Sequence, residues 1–228
     1  MGNSRSAKNG EIVLFSPEHF YLFNTLAVPQ LTGYLIEKDC PVVQKVLDNH
    51  FYSNITLEKT LSDSIAKIEN MNLSEEHLKY LTDSIRKSKL PALLDLKDET
   101  NEILLSEFLD RKTEIIEHLS ESEKMLEREF LSLGARKFRV ALAQLQCSLD
   151  LYTAEFFPSS FGVLTGIKFP RGQKSSEEVY KATQDKNTNF FIQYYKDYIL
   201  STLPETPSLL GVPVTNESHL IPACTLTR

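Results

Sequence analysis

The chain has 228 residues, with 25 Lys and Arg against 31 Asp and Glu and a formal net charge of −6, so it has no global positive field to hold nucleic acid or an anionic membrane surface. The length suffices to bury a core, either as one large α/β domain or as a small domain carrying a helical insertion. Cys40, Cys147 and Cys224 are an odd count at wide spacing, which excludes a disulfide framework and a CxxC-type metal site and fits a reducing cytoplasm.

Residues 1–10 read as a polar, disordered leader, and no later stretch reaches the ~18 uninterrupted apolar residues of a membrane span. Ile12-Val13-Leu14-Phe15 is a short apolar run ended by Ser16-Pro17, the pattern of a buried parallel strand. Pro29 suits the first turn of a helix that continues through Leu31, Tyr34 and Leu35 to a stop at Asp39-Cys40-Pro41. Residues 42–48 read as a second, less buried strand. Strand, helix, strand at this spacing is a βαβ unit whose crossover places the loops after the strands, residues 16–24 and 48–54, on one ligand-facing rim.

From Thr56 the apolar period becomes helical, with one stripe at Leu57, Leu61, Ile65 and Ile68 and a second at Leu73, His77, Leu78, Leu81 and Ile85. Residues 98–155 predict two or three long helices with breaks near Ser120 and Leu133-Gly134. Glu121, Glu123, Lys124, Glu127, Arg128 and Glu129 read as their solvated face. Residues 158–172 suit an ordered loop or a short strand, and Ser175 starts a further helix. Residues 189–203 then form an amphipathic helix rich in Phe190, Phe191, Tyr194, Tyr195 and Tyr198.

The tail returns to a strand at 208–214, a polar turn at Thr215-Asn216-Glu217-Ser218 and a helical stripe at Leu220, Ile221, Cys224 and Leu226. Pro213 removes a ladder donor, so this strand ends early or lies at an edge. The expected organisation is a sheet part made of residues 11–55 and 204–228, with a helical insertion at 56–203.

Four pieces carry a resemblance: Ile12 to Pro17 with the helix from Val28 to Leu35; Val46 to Tyr52; Pro170 to Tyr195 with its Ser-Ser-Glu-Glu helix start; and Pro207 to Val214 continuing through Ser218 to Leu226. Together they resemble the cobalamin-binding N-terminal domain of cobalamin-dependent radical S-adenosylmethionine enzymes, in a subgroup with a long helical insertion between the second and third strands. The resemblance implies an α/β fold with a partial Rossmann-like parallel sheet in flavodoxin-like order. It also implies a cobalamin-binding rim of Ser16, Pro17, Glu18 and His19 after the first strand and of Thr215, Asn216, Glu217 and Ser218 after the third. The last four residues serve equally well as a helix N-cap.

The family's CxxxCxxC motif, whose thiolates hold a [4Fe–4S] cluster, does not occur here. Arg228 falls in the helix after the third strand, where the family domain continues for two further strands. The resemblance therefore implies a split or truncated module, inactive alone, whose partner is a radical S-adenosylmethionine barrel domain or subunit. That barrel would bring the cluster, S-adenosylmethionine and a peptide substrate. Asp48-Asn49-His50 resembles the start of the Asp-x-His-x-x-Gly motif of cobalamin carriers, but Ser53 stands where the glycine belongs, so His50 reads as a loop histidine held by its neighbours. The alternative is a protein or peptide docking module on a relic α/β domain, with Phe190, Tyr194, Tyr195 and Tyr198 as anchors, although core packing is the plainer use of these aromatics.

Overall fold

The computed structural model describes residues 11–16, 27–129, 134–170, 175–203, 207–214 and 219–228. The chain runs through β1 (Ile12–Ser16), α1 (Ala27–Glu37), β2 (Val42–Val46) and α2 (Leu47–Ile55). The helices α3 (Glu58–Glu69), α4 (Glu75–Lys87), α5 (Leu90–Leu94), α6 (Asn101–Asp110), α7 (Lys112–Glu129) and α8 (Ala135–Thr153) follow. Then come β3 (Ser160–Gly162), β4 (Gly166–Lys168), α9 (Ser176–Ala182), α10 (Phe191–Tyr194), β5 (Leu209–Gly211) and α11 (Leu220–Leu226). The fold is mixed α/β and mostly helical, and it divides into a sheet unit (Met1–Phe51 with Gly166–Arg228) and a helical unit (Tyr52–Thr165). Residues 166–203, placed by the sequence reading in the insertion, belong to the sheet unit.

In the sheet unit the strand order is β2-β1-β5, with β1 parallel to both neighbours: Val13 lies opposite Val43 on one side and Leu210 on the other. Val13, Leu14 and Phe15 are buried, as a central strand of β-branched and aromatic residues requires. β5 stops at Gly211, before Pro213 would leave a gap in the ladder. Gly211 lies close to β1, because a Cβ there would come within 2.6 Å of Leu14 Cδ2. The link from α1 to β2 turns at Asp39, which is left-handed at φ 57°.

α2 begins directly after β2 and occupies residues 48–54, where the sequence reading expects a loop. Packing decides this segment, since Phe51 is fully buried and lies 5.6 Å from Phe191 and 4.8 Å from Tyr194 between ring centroids. The expected helix over 189–203 is irregular: α10 passes into a π-helical turn at Tyr195–Ile199 and a 3₁₀ turn at Leu200–Thr202. Ser175 accepts a hydrogen bond from Glu178 N at 3.2 Å and so starts α9.

The helical unit is held by a mainly aliphatic core: Leu61 and Ile65 of α3, Leu81 and Ile85 of α4, Leu104 and Phe108 of α6, Ile115 and Leu119 of α7, and Leu151 of α8. These residues recur at spacing four along their helices, and each fully buried side chain contributes about 1.5–3 kcal/mol. Ser74 caps α4 by accepting from His77 N at 3.2 Å, and Thr100 caps α6 by accepting from Ile103 N at 3.3 Å.

The break expected near Ser120 falls instead at Arg111, between α6 and α7. Ser120 donates to Glu117 O and Ser122 to Leu119 O, so both hydroxyls are satisfied inside the helix and do not end it. The second expected break holds, since Gly134 is the N-cap of α8. Glu123 departs from the expected solvated face: it is buried and accepts from Ser53 Oγ at 2.8 Å and Thr56 Oγ1 at 3.3 Å. Among the described residues no helix is long and apolar enough to cross a membrane.

Candidate functional site

Because its three strands are parallel, the sheet brings the carboxyl ends of β1, β2 and β5, at Ser16, Val46 and Gly211, to one edge. Of the rim expected from sequence, Ser16 closes β1 opposite Val46. Pro17, Glu18, His19, Thr215, Asn216, Glu217 and Ser218 lie outside the described residues.

Near this edge the structure assembles Lys45, His50, Tyr194 and Tyr198. His50 follows β2 by one turn of α2, and its Nδ1 lies 2.9 Å from Tyr194 Oη, with its ring edge-on to Tyr198 at 5.9 Å. Burial, and then the positive charge of Lys45, hold the imidazole below the usual histidine range. Burial likewise pulls the Lys45 amine down from the usual lysine range. A neutral imidazole satisfies this contact in either tautomer, with Nδ1 accepting from the phenol or donating to its oxygen. Such a group hydrogen-bonds well and does not carry charge at neutral pH.

The sequence reading expects His50 in a loop, held by its neighbours; it sits on α2, with Tyr194 as its partner. The membership of Lys45 and Tyr194 was missed. Lys45 had a faint signal, as a cation at a buried position of a five-residue strand. Tyr194 had none, being far from both in sequence. Phe190 and Tyr195 are buried with Tyr194 and pack the sheet unit, while Tyr198 is 36% exposed. A cavity of about 410 Å³ elsewhere in this unit is lined by residues including Thr183, Ile192, Tyr195, Lys196 and Thr225.

The helical unit holds a different polar centre. Asp150 of α8 is buried and accepts from Tyr80 Oη, Ser84 Oγ and Gln146 Nε2. Burial raises the Asp150 carboxyl despite these donors, and burial with the nearby Asp150 raises the Tyr80 phenol. Cys147 is fully buried, and its thiol is pushed up to about 12, chiefly by burial. A thiol so raised is protonated and unreactive. Gln146 also donates to Phe161 O and accepts from Val163 N, so the network ties α8 to the β3 segment. Its role is structural.

Among the described residues no group of three or more His, Cys, Asp or Glu could hold a metal ion. Comparison of the chain with protein-family models, with curated proteins and with solved structures finds no match in any of the three.

Proposed function

We propose that the sheet unit is a cofactor-binding module of the cobalamin-binding kind, which serves a radical S-adenosylmethionine barrel supplied by another domain or subunit and is not catalytic alone. The observation that carries this reading is the parallel order β2-β1-β5. In a flavodoxin-like sheet the chain order reverses between the first and third strands, and ligands sit outside the carboxyl ends at that switch point. Here the switch point lies between β1 and β5. Residues 17–19 and 215–218 follow these two strands in sequence.

The donor set suits the periphery of a corrin. Hydroxyls of Ser16, Thr215 and Ser218, the Asn216 amide and the His19 imidazole are groups that hydrogen-bond amide arms, and Glu18 and Glu217 accept from them. His50 is engaged with Tyr194 through Nδ1, and no cobalt ligand is assigned to it. When bound, cobalamin supplies cobalt-centred redox and group-transfer chemistry, and this chain's residues bind and orient it.

A second reading, a docking module on a relic α/β domain, is favoured by α1, where Leu31, Tyr34 and Ile36 are 46%, 56% and 61% exposed. The same exposed helix supports the first reading as a surface for the barrel. Ultraviolet–visible titration with hydroxocobalamin separates them: shifted corrin bands and saturable binding are expected. Unchanged bands at high protein concentration would remove cobalamin and leave the docking module.

A further inference from the structure

We infer that the helical unit carries a binding site for a small, multiply phosphorylated ligand, in the cavity between the start of α8 and the corner joining α4 to α5. The cavity measures about 620 Å³, within the usual range for small-molecule sites. Lys87, Lys89, Arg136 and Arg139 line it, and among the described residues no acidic side chain does. Ala92, Leu93 and Val140 form its apolar wall.

Several cations elsewhere in this unit are paired, Lys67 with Glu155, Arg86 with Asp98, Lys97 with Glu107, Arg111 with Glu114 and Lys112 with Glu69, whereas Lys59, Lys79 and Lys137 have no ion pair among the described residues. None of the four cavity cations pairs with a carboxylate among the described residues; Lys87 acts at longer range on the buried Asp150 carboxyl. In a chain of net charge −6, this is a local inversion of sign.

Three further features at the cavity cost stability, and an anion would offset two of them. Arg136 and Arg139 stand near the amino end of α8, where the helix dipole disfavours cations, and no acidic residue offsets them in the first turn. Gly134 supplies no side-chain cap there. Lys89 is held left-handed at φ 66°, an unfavourable backbone for a lysine. A phosphate group in the cavity would offset the first two and give Lys89 a partner. The cavity is open to solvent, and its apolar wall, with Leu93 54% exposed, fits a small ligand with phosphates at one end and an apolar or planar part at the other. This inference stands on the helical unit alone and is independent of cobalamin.

The test is calorimetric titration of the full chain, at low salt, with tripolyphosphate, ATP, AMP and inorganic phosphate. ATP and tripolyphosphate are expected to bind, AMP and phosphate to bind more weakly, and added salt to weaken all four. The double variant Arg136→Gln/Arg139→Gln should lose about tenfold or more in affinity, whereas Lys124→Gln, outside the cavity, should lose none. Lys89→Gly relaxes the left-handed backbone, so it should weaken binding without lowering the melting temperature. The inference is overturned by any of three results: no binding of either polyphosphate at millimolar concentration, unchanged affinity in the Arg136/Arg139 variant, or binding only of single-stranded RNA or an acidic peptide.

Discussion

The sheet unit and the helical unit solve the problem of core formation with different materials. The helical unit uses Leu and Ile at spacing four, and the helices that bear them follow one another along the chain. The sheet unit uses stacked rings of Phe51, Phe190, Phe191 and Tyr194, and a strand ladder that joins Ile12 to Leu209. Local contacts let a helix form and then find neighbours close in sequence, whereas long-range pairing must meet the loop-closure cost before any gain arrives. The lesson is that one short chain combines a locally encoded body with one whose order depends on distant segments meeting.

The largest effects come from deleting core side chains. Phe191→Ala in the sheet unit and Leu61→Ala in the helical unit remove fully buried groups, and each is expected to cost about 2–5 kcal/mol in urea denaturation. If the contrast holds, Phe191→Ala slows refolding more than Leu61→Ala in stopped-flow kinetics; equal slowing would break it.

The next effect is electrostatic and confined to the helical unit. The folded Asp150 carboxyl is raised above its ordinary value of 3.8, so its neutral form is favoured by folding. That contribution is full below 3.8 and is lost as pH rises through the folded value. Asp150→Asn removes this dependence. Its stability relative to wild type should rise with pH, by at most about 1.4 kcal/mol per pH unit, in urea titrations from acid to neutral pH.

In the sheet unit the sign is opposite. The folded His50 is held below 6.5, so the unfolded chain binds more protons and stability falls as pH drops through that value. His50→Gln should flatten part of this fall in melting temperature measured against pH. Burial also lowers His77 of the helical unit, which stacks on Phe157 at 4.4 Å, so the slope remaining in His50→Gln should decrease further in the His50→Gln/His77→Gln double variant.

The smallest effect tests where the units are alike. Ser74→Ala and Ser175→Ala each remove an N-cap acceptor and should cost about 1 kcal/mol each in thermal melts.

What was legible in sequence follows the same division. The runs at Ile12 and Leu209 carry β-branched or aliphatic residues bounded by Ser-Pro and Gly-Val-Pro, and both their strand character and their parallel pairing could be read from that. The stripes through Leu61, Ile65, Leu81 and Ile85 were equally plain, because helical period is a local signal. Glu123 was not legible, since its neighbours in sequence are charged and its partners Ser53 and Thr56 lie some seventy residues away. α2 was hidden because Asp48, Asn49 and His50 favour a turn on their own, and the rings that overrule them come from the other end of the chain. Of the candidate site, the edge was readable and the Lys45, His50 and Tyr194 grouping was not.

β1 is the middle strand, with β2 on one flank and β5 on the other. During translation its first neighbour leaves the ribosome soon after it, but its second arrives only when the intervening helices have been made, a delay on the order of ten seconds. For that interval one side of an apolar strand is a bare template for any extended peptide nearby. A chaperone that shields this flank, or early closure of α1 over it, would set the yield of correctly folded protein in the cell.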